Sequence, residues 1–226
     1  MLEFKEVVVG YKKTRIIAGV NLTLSKGEAV TIVGKNGAGK STLLKSVFGF
    51  SSIISGEILI GGKPIQYLNS SIIAQSITPL FANSSVSPEL KVRDIINFSI
   101  DRRCLSDEAK EAAKSRYCEL FKITHFLEKR VSEISDGMLQ RAMITRAFCL
   151  DTPLVFLDEP TTYLDIESQL EVAETIKNII SHENKGVLIN THNSLWVRRF
   201  SENIFRISDG ELRKTSFDSL NIPKEL

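Results

Sequence analysis

Apolar and polar positions along the chain follow two rhythms, and the changes between them divide it. Val20, Leu22 and Leu24 alternate with polar residues, the period of a half-buried strand. Residues 29–33 form a short, mostly apolar run that ends in glycine, the pattern of a strand buried on both faces of a parallel sheet. Residues 40–48 then take a helical period, with Leu43, Leu44, Val47 and Phe48 on one side and Gly49 as the stop. Residues 57–62 read as a strand followed by a turn. From about Asn83 to Ala147 the pattern is helical. Ala109, Ala112, Ala113, Tyr117, Leu120 and Phe121 fall on one stripe, and Ser106 is placed to cap that helix, with Asp107 and Glu108 in its first turn. Strand patterns return at 154–157 and 186–190. Between them, a helix after Asp165 is expected to turn Ile166, Leu170, Ala173, Ile176 and Ile180 inward. Asp209-Gly210 marks the turn of a closing hairpin.

These elements predict one α/β domain, 1–226, whose core is built from 1–82 and 148–226 and carries an inserted helical lobe over 83–147. With 226 residues and 42% of them hydrophobic, the chain can bury a large core. No internal repeat or low-complexity linker interrupts it. A formal net charge of +2 gives no reason to expect nucleic-acid binding. No apolar run approaches the roughly 18–20 residues that cross a bilayer, and Met1–Glu6 lacks the basic start and apolar stretch of a secretory signal. A cytoplasmic chain whose membrane role comes through a partner is therefore expected. Cys104, Cys118 and Cys149 have no metal-ligand spacing and read as buried or idle thiols in a reducing compartment.

The candidate chemistry sits where apolar strands end. Gly34-Lys35-Asn36-Gly37-Ala38-Gly39-Lys40-Ser41-Thr42 matches the phosphate-binding loop G-x-x-x-x-G-K-[ST], between a strand and a helix. Glycines let the backbone curl with its N–H groups turned toward phosphates, and the helix start adds its positive end. Lys40 can reach the β- and γ-phosphates, and Ser41 can hold Mg²⁺. The alternative is a glycine-rich turn without ligand. The run Leu154–Leu157 ends in Asp158, Glu159 and Pro160. In a phosphate-loop ATPase an Asp at such a strand end supports Mg²⁺, and an adjacent carboxylate can deprotonate the attacking water. Asp158 is assigned to the metal and Glu159 to the water. The alternative is a strand end with solvated charges.

Leu157-Asp158-Glu159-Pro160-Thr161, preceded by Ile134-Ser135-Asp136-Gly137-Met138-Leu139-Gln140-Arg141, resembles the ATP-binding cassette (ABC) family over nearly the whole chain. The second stretch is similar to the family's signature, Leu-Ser-Gly-Gly-Gln. The resemblance implies a phosphate-loop NTPase (RecA-like) core, an N-terminal antiparallel β subdomain and an inserted α-helical lobe. It implies ATP hydrolysis with Mg²⁺ in a head-to-tail homodimer, or in a pair with another ABC subunit. Ser135 and Gly137 would then complete the partner's ATP site. Two positions depart from the pattern. Asp136 stands for the first glycine and Met138 for the glutamine, and the Asp136 carboxylate is expected to point away from phosphate.

The resemblance also assigns Gln75 to the glutamine loop that senses Mg²⁺ and water, and Asp165 to the aspartate loop at the dimer interface. It makes His192 a γ-phosphate contact, with Asn193 where the family often has Asp, and Tyr11 the aromatic that stacks on adenine. Gln75 as a surface residue, Asp165 as a plain helix cap and Tyr11 as a packed tyrosine stay open as alternatives. His125 and His182 read as surface residues and Trp196 as packing. The implied partners are transmembrane permease subunits at the inner membrane face and an extracytoplasmic solute-binding protein. Residues 164–172, 62–65 and 92–94 are similar to importers of iron-siderophore, haem or cobalamin. An exporter ATPase subunit and a non-transport ABC ATPase are the competing readings.

Overall fold

The strand patterns resolve into one ten-stranded order among the described residues, which in this computed structural model are 1–82, 86–100 and 106–220. Asn83, the expected start of the lobe, and Cys104 lie outside them. The antiparallel part is made by β1 (Leu2–Tyr11) and β2 (Thr14–Leu24), paired from Leu2↔Leu24 to Tyr11↔Thr14, with β4 (Ser52–Ile60) and β5 (Lys63–Pro64) beyond β1. The parallel part contains β3 (Ala29–Gly34), β6 (Ile77–Leu80), β7 (Leu154–Asp158), β8 (Gly186–Asn190) and β9 (Ile204–Ser208). The closing hairpin adds β10 (Glu211–Thr215), which meets β2 at Glu211↔Ala18 and joins the two parts. The order is β5-β4-β1-β2-β10-β9-β3-β8-β7-β6.

Helix α1 (Lys40–Val47) follows β3, and α2 (Ser70–Ser76) precedes β6. The inserted lobe contributes α3 (Val92–Ile100), α4 (Asp107–Leu120) and α5 (Asp136–Cys149) between β6 and β7. The chain then runs through α6 (Ile166–Glu183) and α7 (Ser194–Arg199).

The short apolar runs are the strands covered on both sides. Alternate residues of β7 and β8 enter different cores: Val155, Leu157, Val187 and Ile189 pack with α3–α6, whereas Leu154, Phe156 and Leu188 pack with α1 and the β1–β2 hairpin. The same two-residue alternation carries Asp158 and Asn190, the last residues of β7 and β8, to the α1 side of the sheet.

Ser106 caps α4 by accepting from the Ala109 N–H at 3.3 Å, and Asn193 caps α7 by accepting from Trp196. Trp196 is fully buried, its indole N–H donating to the Gln169 carbonyl. Two expected stripes are corrected. On α6, Ile166 and Leu170 are exposed, and burial begins at Val172, because the first two turns run past the edge of the core. On α4, Ala112 and Leu120 are also exposed, and the helix enters the core through Tyr117, Cys118 and then Phe121.

Candidate active site

The loop of residues 34–39 begins where β3 runs out of apolar residues and ends where α1 begins. Gly39 precedes α1 with φ 103°, and a Cβ there would come within 2.7 Å of Ile16 and 2.9 Å of Ile17. Only glycine fits that backbone and that approach, and the contact seats the loop against β2. Tyr11 stands exposed at the tip of the same hairpin, paired with Thr14. Asn36 and Gly37 are exposed at the loop crest, Ala38 and Ser41 are half-buried, and Thr42 is buried on α1.

Lys40 is buried, yet its ammonium has two oxygen partners. Its Nζ donates to the Gly34 carbonyl at 2.9 Å and lies 3.2 Å from Glu159 Oε1. Glu159 directly follows β7, with φ 49°, a backbone conformation that costs a non-glycine residue of order 1 kcal/mol or more. Its backbone N–H is held by the Asn190 carbonyl at 2.9 Å, and its own carbonyl accepts from the Thr162 hydroxyl. His192 Nδ1 approaches Glu159 Oε2 to 2.9 Å without hydrogen-bond geometry, so that buried oxygen has no hydrogen-bond partner. The His192 ring is otherwise 63% exposed. Asp158 is buried beside them and accepts from Asn190 Nδ2 at 3.0 Å. The structure thus brings Lys40, Asp158, Glu159 and His192 to one end of the parallel strands, where ligands of open α/β sheets bind.

Gln75 is not brought there. It lies on α2, exposed, with Nε2 donating to Ser71 Oγ at 3.4 Å. Strand β6 starts only after it and runs parallel to β7, so Gln75 sits at the opposite end of the sheet from Asp158. The residue that leaves β6 beside Leu157 and Asp158 is Phe81, which packs edge-on against Phe48 and Phe50. The assignment of Gln75 to metal and water is therefore corrected.

A second group forms at the start of α5. Ser135 caps the helix by accepting from the Met138 N–H at 3.2 Å. Gly137 packs so tightly that a Cβ would lie 2.8 Å from the Tyr163 carbonyl. Asp165 caps α6 through the Ser168 N–H at 2.7 Å, and that bond holds its carboxyl below the usual range. Ser135, Gly137, Tyr163 and Asp165 line a cavity of about 610 Å³, and Asp136, exposed, lines it too. His125 and His182 are exposed, as expected.

A family model described as "ABC transporter" matches residues 17–162. The chain belongs to the ABC transporter family. It is 30% identical over 93% of its length to the petrobactin import ATP-binding protein FpuD of Bacillus anthracis, covering 79% of that protein. It is 28% identical over 88% of its length to the cobalamin import ATP-binding protein BtuD of Halobacterium salinarum, of which it spans 50%. Among solved structures, a dimeric ATP-binding cassette in a post-hydrolysis state with ADP and Pi superposes with a TM-score of 0.84 at 25% identity, covering 96% of this chain and 99% of that one. The chain is an ATP-binding subunit of the ABC transporter type and an ATPase.

The oxygen set of this ABC ATPase suits Mg²⁺. Asp158 and the Ser41 hydroxyl are hard donors, and the neighbouring Glu159 Oε2 and Asn190 Oδ1 are buried without hydrogen-bond partners. Among the described residues no group of three or more His, Cys, Asp and Glu is arranged to hold a metal ion by itself. That fits a cation held by few protein ligands together with phosphates. Sequence reasoning missed Asn190 and Phe81. The polar residue closing an apolar strand was the available signal for the first, and Pro79 concealed the strand that delivers the second.

Proposed function

We propose that this ABC ATPase energises a membrane importer for a metal chelate such as an iron-siderophore, haem or cobalamin. The observation that carries the catalytic part is the convergence of Lys40, Glu159 and His192 beside Asp158. Lys40 and the loop amides of 34–39 bind the β- and γ-phosphates of ATP. Ser41 and Asp158 hold Mg²⁺, which when bound neutralises charge on those phosphates. Glu159 takes a proton from the attacking water through its carboxylate, and His192, against Glu159 Oε2, orients the reacting groups. Tyr11 stacks on adenine.

Ser135 and Gly137 complete the site of a second copy in a head-to-tail dimer, with Asp165 at the interface. Hydrolysis reopens that dimer, and the opening moves permease subunits at the inner membrane face. An extracytoplasmic binding protein delivers cargo to them. No helix among the described residues is long and apolar enough to cross a membrane. The names of the petrobactin and cobalamin relatives support the cargo class.

The test is uptake of iron chelates and cobalamin in a strain lacking this chain, complemented with wild type or Lys40→Ala. Uptake restored by wild type only is expected, with ATP turnover of the variant down about 10²–10³-fold. Unchanged uptake of every chelate in the deletion strain removes the cargo class.

A further inference from the structure

We infer that Asn190 is the positioning residue that aims the metal-binding carboxylate of Asp158. The inference rests on the reading of Asp158 as the metal residue. Strand β8 is apolar from Val187 to Ile189 and then closes on a fully buried amide. Asn190 faces Asp158 in register across the parallel pair, and its Nδ2 donates to Asp158 Oδ1 at 3.0 Å. A carboxylate offers only acceptors, so the amide must present its NH₂ group to it. This orientation leaves Asn190 Oδ1 buried without a partner. An apolar residue of similar size would avoid that orphaned oxygen, so the amide is retained for the bond it donates.

The geometry gives that bond a direction. Donation to Oδ1 fixes rotation of the carboxylate about its last side-chain bond, which leaves Oδ2 as the oxygen to meet a cation. The same residue's backbone carbonyl accepts from the Glu159 N–H at 2.9 Å. Asn190 therefore sets Asp158 through its side chain and Glu159 through its main chain. A substitution at 190 alters only the first of these. Phe81 gives the assignment added weight: the residue leaving β6 on the other side of β7 is aromatic and offers no polar group to steady Asp158. Outer partners of metal ligands are worth about 10–100-fold in metal affinity.

The test compares Asn190→Leu and Asn190→Ala with wild type and with Asp158→Asn in the full chain. Mn²⁺ affinity is read by electron paramagnetic resonance in the presence of ATP, and affinity for a fluorescent ATP analogue is read in EDTA. In either Asn190 variant that unfolds cooperatively at the wild-type temperature, Mn²⁺ should bind about 10-fold or more weakly. Metal-independent nucleotide affinity should stay unchanged. Wild-type Mn²⁺ affinity in such a variant overturns the inference, while loss in Asp158→Asn alone leaves the reading of Asp158 standing. Full Mn²⁺ affinity in Asp158→Asn removes that reading instead. Failure of both Asn190 variants to fold also overturns the inference, by making Asn190 a residue of the core.

Discussion

Lys40 Nζ and Glu159 Oε1 lie 3.2 Å apart, which ties the phosphate-loop cation to the carboxylate assigned to the water. A phosphate that approaches Lys40 competes with that carboxylate for the ammonium, so nucleotide binding loosens the hold on Glu159. Glu159→Gln removes the competing charge and the proton acceptor together. Turnover should fall about 10²-fold or more, while ATP binds at least as tightly as to wild type. Phosphate release and titration with a fluorescent ATP analogue check both halves. Hydrolysis retained by the variant would exclude Glu159 as the base.

Asp136 lines the same cavity as Ser135 and Gly137. If a second copy's phosphate docks there, Asp136→Gly should strengthen ATP-dependent dimerisation by about fivefold at low salt, and less as salt screens the charge. Light scattering of the Glu159→Gln background, with and without Asp136→Gly, measures the difference. Equal dimerisation at low salt would show that the carboxylate stays clear of phosphate.

Gly137 has no room for a methyl group, since the Tyr163 carbonyl would stand 2.8 Å from it. Backbone cannot yield as a flexible side chain does. Gly137→Ala should lower the unfolding free energy by about 1–3 kcal/mol, read from urea titration. An unchanged midpoint would show that the start of α5 shifts freely.

Much of this site was legible because strands buried on both faces need runs that are mostly apolar. Val30–Val33 and Leu154–Leu157 therefore announced where the chemistry starts. Glu159 and His192 followed from what stands just past such runs. Strand β6 gave no such notice, because its four residues include Thr78 and Pro79. Proline is tolerated there because, among the described residues, β6 is an edge strand paired with β7 alone. With that strand unseen, the resemblance places the glutamine loop at Gln75, before β6, and passes over Phe81, after it. Burial of Ile166 and Leu170 failed for another reason: helical period tells which side of α6 is apolar, but not where the core beneath it begins.

Cys118 is buried on α4, and burial pushes its thiol up to about 11. A raised value means that the folded chain holds the proton more tightly than the unfolded one. The stabilisation is complete below the ordinary thiol range and is lost as pH rises toward 11. Tyr117, also buried and donating to Glu183, is raised too and adds the same sign at still higher pH. Unfolding free energy should therefore fall between about pH 9 and 11, by at most about 1.4 kcal/mol per unit for each group. Cys118→Ala should flatten that fall in urea titrations at stepped pH. An identical slope in the variant would assign the effect elsewhere.

The start of α5 is fastened to the turn after β7 at two places. Gly137 abuts the Tyr163 carbonyl, and Gln140 Nε2 donates to the Pro160 carbonyl at 3.0 Å. One end of that turn is Glu159 and the other is the Asp165 cap of α6. The inserted lobe is therefore coupled at its α5 root to the peptide that carries Glu159. Tyr117 on α4 also donates to Glu183 on α6, so the lobe is tied to α6 at both ends of that helix and a load on it is shared with the peptide that carries Glu159.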